Sequence, residues 1–199
     1  MNHTPTYPRV RLGALFDGIM AVAMTLLVLD IRLPENFHPT TSEALLDGFI
    51  ELWPKFFPYL LSFYVLGSRW LLSVQTHSHT ELHDSRYIRW WLFYLLLITC
   101  VPFTTIVLGK FTYLAPAVWL YLLNTALVSI VGWRLLMLTP MLEDESRRKE
   151  RTIGLLFLLG SVSACLIWSF INPSQSLWFF LLNAASPIYI RRQQLNKAK

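Results

Sequence analysis

The stretch TIGLLFLLGSVSACLIWSFINPSQSLWFFLLNAASPIYI, residues 152–190, runs for 39 residues without a charged side chain. As one helix it would reach about 58 Å, whereas about 20 apolar residues already cross the hydrocarbon of a bilayer. It reads as two spans joined at Asn172-Pro173-Ser174-Gln175, where a proline among small polar residues breaks a helix. Working upstream, Phe111 to Trp133 and Trp90 to Gly109 are also free of charge and give one span each. Residues 42–74 read as one long helix whose outer part is bent by Pro54 and Pro58. The first candidate, residues 11–33, has only twelve uncharged residues between Asp17 and Asp30. The expectation is a single all-α transmembrane domain over residues 1–199, with spans at about 11–33, 42–74, 87–109, 113–137, 152–171 and 175–191.

Composition excludes the other classes. The chain is 54% hydrophobic and 15% charged, with a mean hydropathy of +0.45. Disordered chains show the opposite balance. Two cysteines, Cys100 and Cys165, both inside apolar runs, make no disulfide scaffold and read as small hydrophobes. Residues 1–10 are polar and no small-residue cleavage site follows the first apolar run, so the first helix is expected to stay in the working protein. The longest polar stretches, Thr76 to Arg89 and Glu143 to Arg151, are too short for an added soluble domain.

Basic residues orient the bundle. An inside N-terminus collects Arg9, Arg11, Arg69, Arg86, Arg89, Arg134, Arg147, Arg148, Lys149, Arg151, Arg191, Arg192, Lys197 and Lys199 on one side, leaving Arg32, Lys55 and Lys110 on the other. Positive charge gathers on the cytoplasmic face, so the expectation is a multi-pass protein of the cell membrane with both termini cytoplasmic. The pI near 9.4 is then a topology signal, and nucleic acid is not expected as a partner.

The first helix is the unusual one. Its twelve uncharged residues span about 18 Å, and Asp17 and Asp30 would fall within or near the membrane, where ionisable groups face protein or water. It is expected to be the innermost helix of the subunit or of an oligomer. At about 100° per residue, with Ala14 as origin, Gly18, Ala21 and Thr25 form a stripe of small residues. Val22, Leu26 and Leu29 form an apolar stripe beside it, and Asp17 lies on the far flank, placed to meet a neighbouring helix. The apolar stripe reads either as bundle core or as apolar rings of a pore that gates by dewetting. Periodicity alone does not choose between them.

The segment from Arg11 to Thr25 resembles the first-helix signature of the TMEM175 family of potassium-permeable channels, R-x-x-x-F-S-D-x-x-x-A-[IV]-x-x-T. Arg11, Asp17, Ala21, Val22 and Thr25 fall at the matching spacing, with Leu15-Phe16 standing where the pattern has Phe-Ser. The continuation to Asp30-Ile31 and Pro34 looks similar, as more loosely do Trp70 and Pro102-Phe103-Thr104. The resemblance implies a prokaryotic potassium channel with one six-helix repeat per chain, assembled as a homotetramer with four first helices around the pore. It also implies a pore constriction at Val22, Leu26 and Leu29, Thr25 as the polar neighbour, and Arg11 and Asp17 as signature or gating residues near the cytoplasmic end. Potassium would be the permeant ion, with no cofactor and no metal.

Other signals are weaker. The carbonyl filter T-V-G-Y-G of conventional potassium channels is absent. His77, His79 and His83 with Glu81 and Asp84 read as a solvated loop, as a pH-sensitive one or as a metal site, and no nucleophile–base set accompanies them to make an enzyme. Glu143 to Arg151 reads as a solvated connection near lipid headgroups. Trp90, Trp91 and Tyr113 suit an interfacial belt, and Asn124 is expected to hydrogen-bond a neighbouring helix. A proton- or cation-coupled secondary transporter using Asp17 is the competing reading, although the two halves of the chain show no inverted correspondence.

Overall fold

A computed structural model of the chain describes residues 7–34, 36–75, 82–83, 85–138 and 145–179. Apart from one short antiparallel pair, β1 (Tyr7–Pro8) with β2 (Leu82–His83), its regular elements are helical. The helices are α1 (Arg9–Leu27), followed by a 3-10 turn over Val28–Asp30, then α2 (Ser42–Glu51), α3 (Trp53–Gln75), α4 (Ser85–Lys110), α5 (Ala115–Leu138), α6 (Glu145–Ser169) and α7 (Pro173–Ser176). Among the described residues, four helical segments are long and apolar enough to cross a membrane: Arg11–Asp30, Ser85–Lys110, Ala115–Leu138 and Thr152–Ser169. The protein is a multi-pass membrane protein.

Helix α4 is the hub, packed against α1, α3 and α5, and α5 in turn carries α6. One core gathers Phe16, Met20, Ala23 and Leu27 of α1 with Leu66 of α3, Trp91, Tyr94 and Ile98 of α4, and Val128 and Val131 of α5. A second joins Leu108, Val118, Tyr121 and Leu122 to Leu158, Val162 and Cys165 of α6 and to Leu177. Half of the most apolar stretch of α4 and of α5 is buried (50% each), against 22% for α1. Within the described residues the first helix is therefore not the innermost; α4 and α5 are more covered, because their apolar residues surround the helix while one face of α1 stays open.

Three boundaries differ from the sequence reading. Residues 42–74 are two helices, parted at Leu52, rather than one. Pro54 has no N–H to offer the carbonyl of Ile50, so the last bond of α2 tightens to Leu52 N–H donating to Phe49 O at 3.2 Å. A new helix then starts at Trp53 and continues through Pro58. The first helix ends at Asp30, short of residue 33, since the residue before Pro34 is pushed out of helical geometry. The run Glu145 to Arg151, read as a connection, is the opening of α6, its Glu and Arg residues being good helix formers.

The turn at Asn172 holds: its side chain caps α7 by accepting from Gln175 N, with Pro173 at the first helical position. Most of the last expected span, from residue 180 on, lies outside the described residues, as do His77, His79, Glu81 and Asp84 of the His-rich loop. Trp91 is buried in the first core, not in an interfacial belt, while Tyr113 is exposed.

Candidate functional site

Helix α1 has two faces because its residues alternate between them with the period of the helix. Phe16, Met20, Ala23 and Leu27 recur every three or four residues and fill the core. The opposite side carries Ala14, Gly18, Ala21, Val22, Thr25, Leu26 and Leu29, all exposed in the protomer. Val22 is 57% exposed, Leu26 42% and Leu29 63%. A Cβ placed on Gly18 would meet nothing within 4 Å. The sequence-predicted stripes thus share one continuous open surface, small residues beside branched apolar ones, with no partner among the described residues.

Thr25 contributes less polarity to that surface than its hydroxyl promises. Its Oγ1 lies 3.0 Å from Ala21 O and 2.9 Å from Val22 O, to which it donates. The proton stays within the helix, as is usual for a helical Thr bonding back to its own turn. Only oxygen lone pairs remain for anything outside.

Asp17 does find a neighbouring helix. The indole N–H of Trp70 in α3 donates to its Oδ1 at 3.0 Å. One residue away, Phe16 stacks on Tyr94 of α4, with ring centroids 6.3 Å apart and 13° between planes. The cytoplasmic half of α1, as the sequence orients it, is therefore held to α3 by a hydrogen bond and to α4 by an aromatic stack. Arg11 is exposed on the same helix. At the other end, Lys55 Nζ donates to Arg32 O at 3.3 Å, and Asp30 Oδ2 would lie 3.3 Å from a Cβ on Gly109 of α4.

Between α3, α4 and α5 runs a polar seam that the sequence did not reveal. Ser62 of α3 sits 2.8 Å from Thr105 of α4 and 3.1 Å from Tyr121 Oη of α5, all three buried. Asn124 Nδ2 donates to Leu97 O at 3.3 Å, the contact its position called for. Arg69 is half-buried, its Nη2 donating to Ser129 Oγ at 2.5 Å while Nε is buried without a partner among the described residues. Isolated Ser and Thr in apolar helices usually bond their own backbone, so nothing in the sequence marks which ones bridge helices. Cys165 is buried and donates to Ser176 O at 3.0 Å, and Cys100 is half-buried. Among the described residues no cluster of His, Cys, Asp and Glu could hold a metal.

Residues 11–102 match the family described as the endosomal/lysosomal potassium channel TMEM175. A potassium channel of Chamaesiphon minutus is 33% identical over 101 residues, 51% of this chain and 49%, about half, of that protein. A potassium channel of Streptomyces collinus is 30% identical over 161 residues, 76% of this chain and 77% of that protein. The crystal structure of a lysosomal potassium-selective channel TMEM175 homolog from Chamaesiphon minutus superposes with a TM-score of 0.71 at 25% identity, covering 90% of this chain and 96% of that one.

Proposed function

Since this chain belongs to the TMEM175 family, we propose that it is a potassium-permeable cation channel, a passive homotetramer in which four copies of α1 surround the pore. The observation that carries this reading is the open face of α1. That helix bears Asp17 and Asp30, which lipid would penalise, and yet leaves Val22, Leu26 and Leu29 uncovered in the protomer. Surrounding a pore with three further copies removes the conflict. Gly18, Ala21 and Ala14 let neighbouring helices approach closely, and the branched residues beside them become stacked rings. Its potassium-channel relatives support the same reading.

In this mechanism Val22 forms the constriction, with Leu26 and Leu29 as further rings. The rings gate by losing water. Carbonyls of α1 are spent on helix bonds, so nothing replaces the hydration shell of the ion. Potassium passes because its shell is cheaper to strip than that of sodium. Thr25 offers lone pairs beside the narrowest point, and Arg11 and Asp17 set the position of the cytoplasmic end, Asp17 through Trp70. The chain is one six-helix domain of the cell membrane, with both termini cytoplasmic. It works in lipid with potassium as permeant ion, without cofactor, metal or enzymatic activity.

Planar bilayers holding the purified protein, with potassium on one side and sodium on the other, test this directly. Reversal displaced toward the potassium equilibrium potential is the expected result, with the displacement reduced in Val22→Asn. Unchanged permeation in Val22→Asn would remove Val22 from the constriction. Absence of current from folded protein would instead favour coupled transport at Asp17.

A further inference from the structure

Helix α2 has three faces with three different chemistries. At about 100° per residue, Ala44, Leu45, Gly48 and Leu52 share the side turned to the protein, where Gly48 and Leu52 are buried. Leu46, Phe49, Ile50 and, one residue past the break, Trp53 share the next side and are exposed, Ile50 by 71% and Trp53 by 72%. Glu43, Asp47 and Glu51 make up the third, exposed as well and without an ion pair among the described residues. Thr41 caps the helix by accepting from Ala44 N at 3.2 Å, so the element is a deliberate helix with a defined start.

We propose that α2 lies along the membrane–water boundary, its Leu46–Phe49–Ile50–Trp53 face sunk into the lipid headgroup–acyl region and its carboxylates in water. Two observations select lipid over another copy of the chain. The apolar face runs on without a step into α3, where Leu60, Tyr64 and Leu71 recur on the line of Trp53 and are likewise exposed. An exposed Trp at the junction of a polar-edged helix and an apolar one is the residue type that settles at that depth. The row of three carboxylates, with no basic residue in α2, further selects zwitterionic headgroups over anionic ones.

The anchor is tied to α1. A Cβ on Gly48 would collide with Phe37 Cζ, so the Phe37 ring rests directly on the α2 backbone. Phe37 belongs to the connection from α1, folded by its N–H donating to Pro34 O at 3.0 Å, and Lys55 fastens Arg32 O on the same connection. Lipid contact at α2 thereby fixes the depth of the far end of α1.

The test is a nitroxide scan of α2 in the full chain, reconstituted in phosphatidylcholine vesicles, in a C100A/C165A background. Labels at E43C, L46C, D47C, F49C, I50C and E51C are read for accessibility to oxygen and to a water-soluble nickel chelate. Oxygen access should dominate at 46, 49 and 50, at a depth of about 5–10 Å, and nickel access at 43, 47 and 51. Replacing part of the lipid with phosphatidylglycerol should not deepen the labels. Protection of 46, 49 and 50 from both reagents would mean that protein covers this face, and nickel access there would mean water does; either result overturns the proposal. Channel currents play no part in the readout, so its outcome is separate from that of the pore assignment. A background that fails to reconstitute is replaced by the native chain carrying F49E/I50E, whose Trp emission should then shift to the red if Trp53 leaves the lipid boundary and stay unchanged if it was never there.

Discussion

Asp17 and Trp70 form a pair across 53 residues of sequence, one carboxylate oxygen and one indole N–H. A double-mutant cycle with Asp17→Ala and Trp70→Phe should give a coupling of about 1 kcal/mol, the worth of one partly exposed hydrogen bond. Thermal unfolding in detergent measures it, and additive effects would mean that the bond adds nothing. Gly48 offers a second case. Gly48→Ala should destabilise by about 1 kcal/mol, because the new methyl displaces the Phe37 ring. The same change made on top of Phe37→Ala should cost close to nothing. The sequence marks Asp17 as needing a partner but not which one, since an Asp on the flank of a helix is within reach of any neighbour. Phe37 and Gly48 it does not mark at all: the contact depends on how a connection folds back.

For the elements, α4 and α5 were readable because charge is confined to their ends, leaving Trp90 to Gly109 and Phe111 to Trp133 uncharged, and only their bounds moved by a residue or two. The period of α1 was equally readable, and Val22, Leu26 and Leu29 do share one face. What periodicity could not supply was which face the chain itself covers, because both faces are apolar; burial of Met20 and Leu27 decides it. The parting of α2 from α3 was missed for a different reason. A proline in a helix can bend it or end it, and here the acidic, capped segment before Pro54 has a face of its own to satisfy. The hydroxyl cluster between α3, α4 and α5 carries the next prediction. Ser62→Ala should cost about 1 kcal/mol, in the range found for hydrogen bonds between membrane helices. It should leave the reversal potential unchanged, since Ser62 is buried between α3, α4 and α5 and is not on the open face of α1. A changed reversal potential with unchanged stability would reverse both statements.

For the whole molecule, the most covered apolar helices among the described residues are α4 and α5, and the least covered are α1 and α6. Such a distribution suits a subunit built to be completed by others. Native mass spectrometry of the purified protein should find four copies of the 23.2 kDa chain. Ala21→Trp, which fills the groove where helices would approach, should shift that distribution toward smaller species. A monomer as the largest species would remove the four-helix pore.

Helix α1 is also gripped at both extremities by segments outside itself. At one end the β1 pair registers Tyr7 against His83 and Pro8 against Leu82, and at the other the Lys55 ammonium holds the Arg32 carbonyl. A rod clamped at both ends cannot slide along its own axis without tearing a clamp. It can still bow or twist between them, toward the open face on which Gly18, Ala21 and Val22 lie. If α1 lines the proposed pore, widening it is then a matter of curvature, with the largest excursion near mid-rod, where Val22 sits, and the smallest at the two fastened ends.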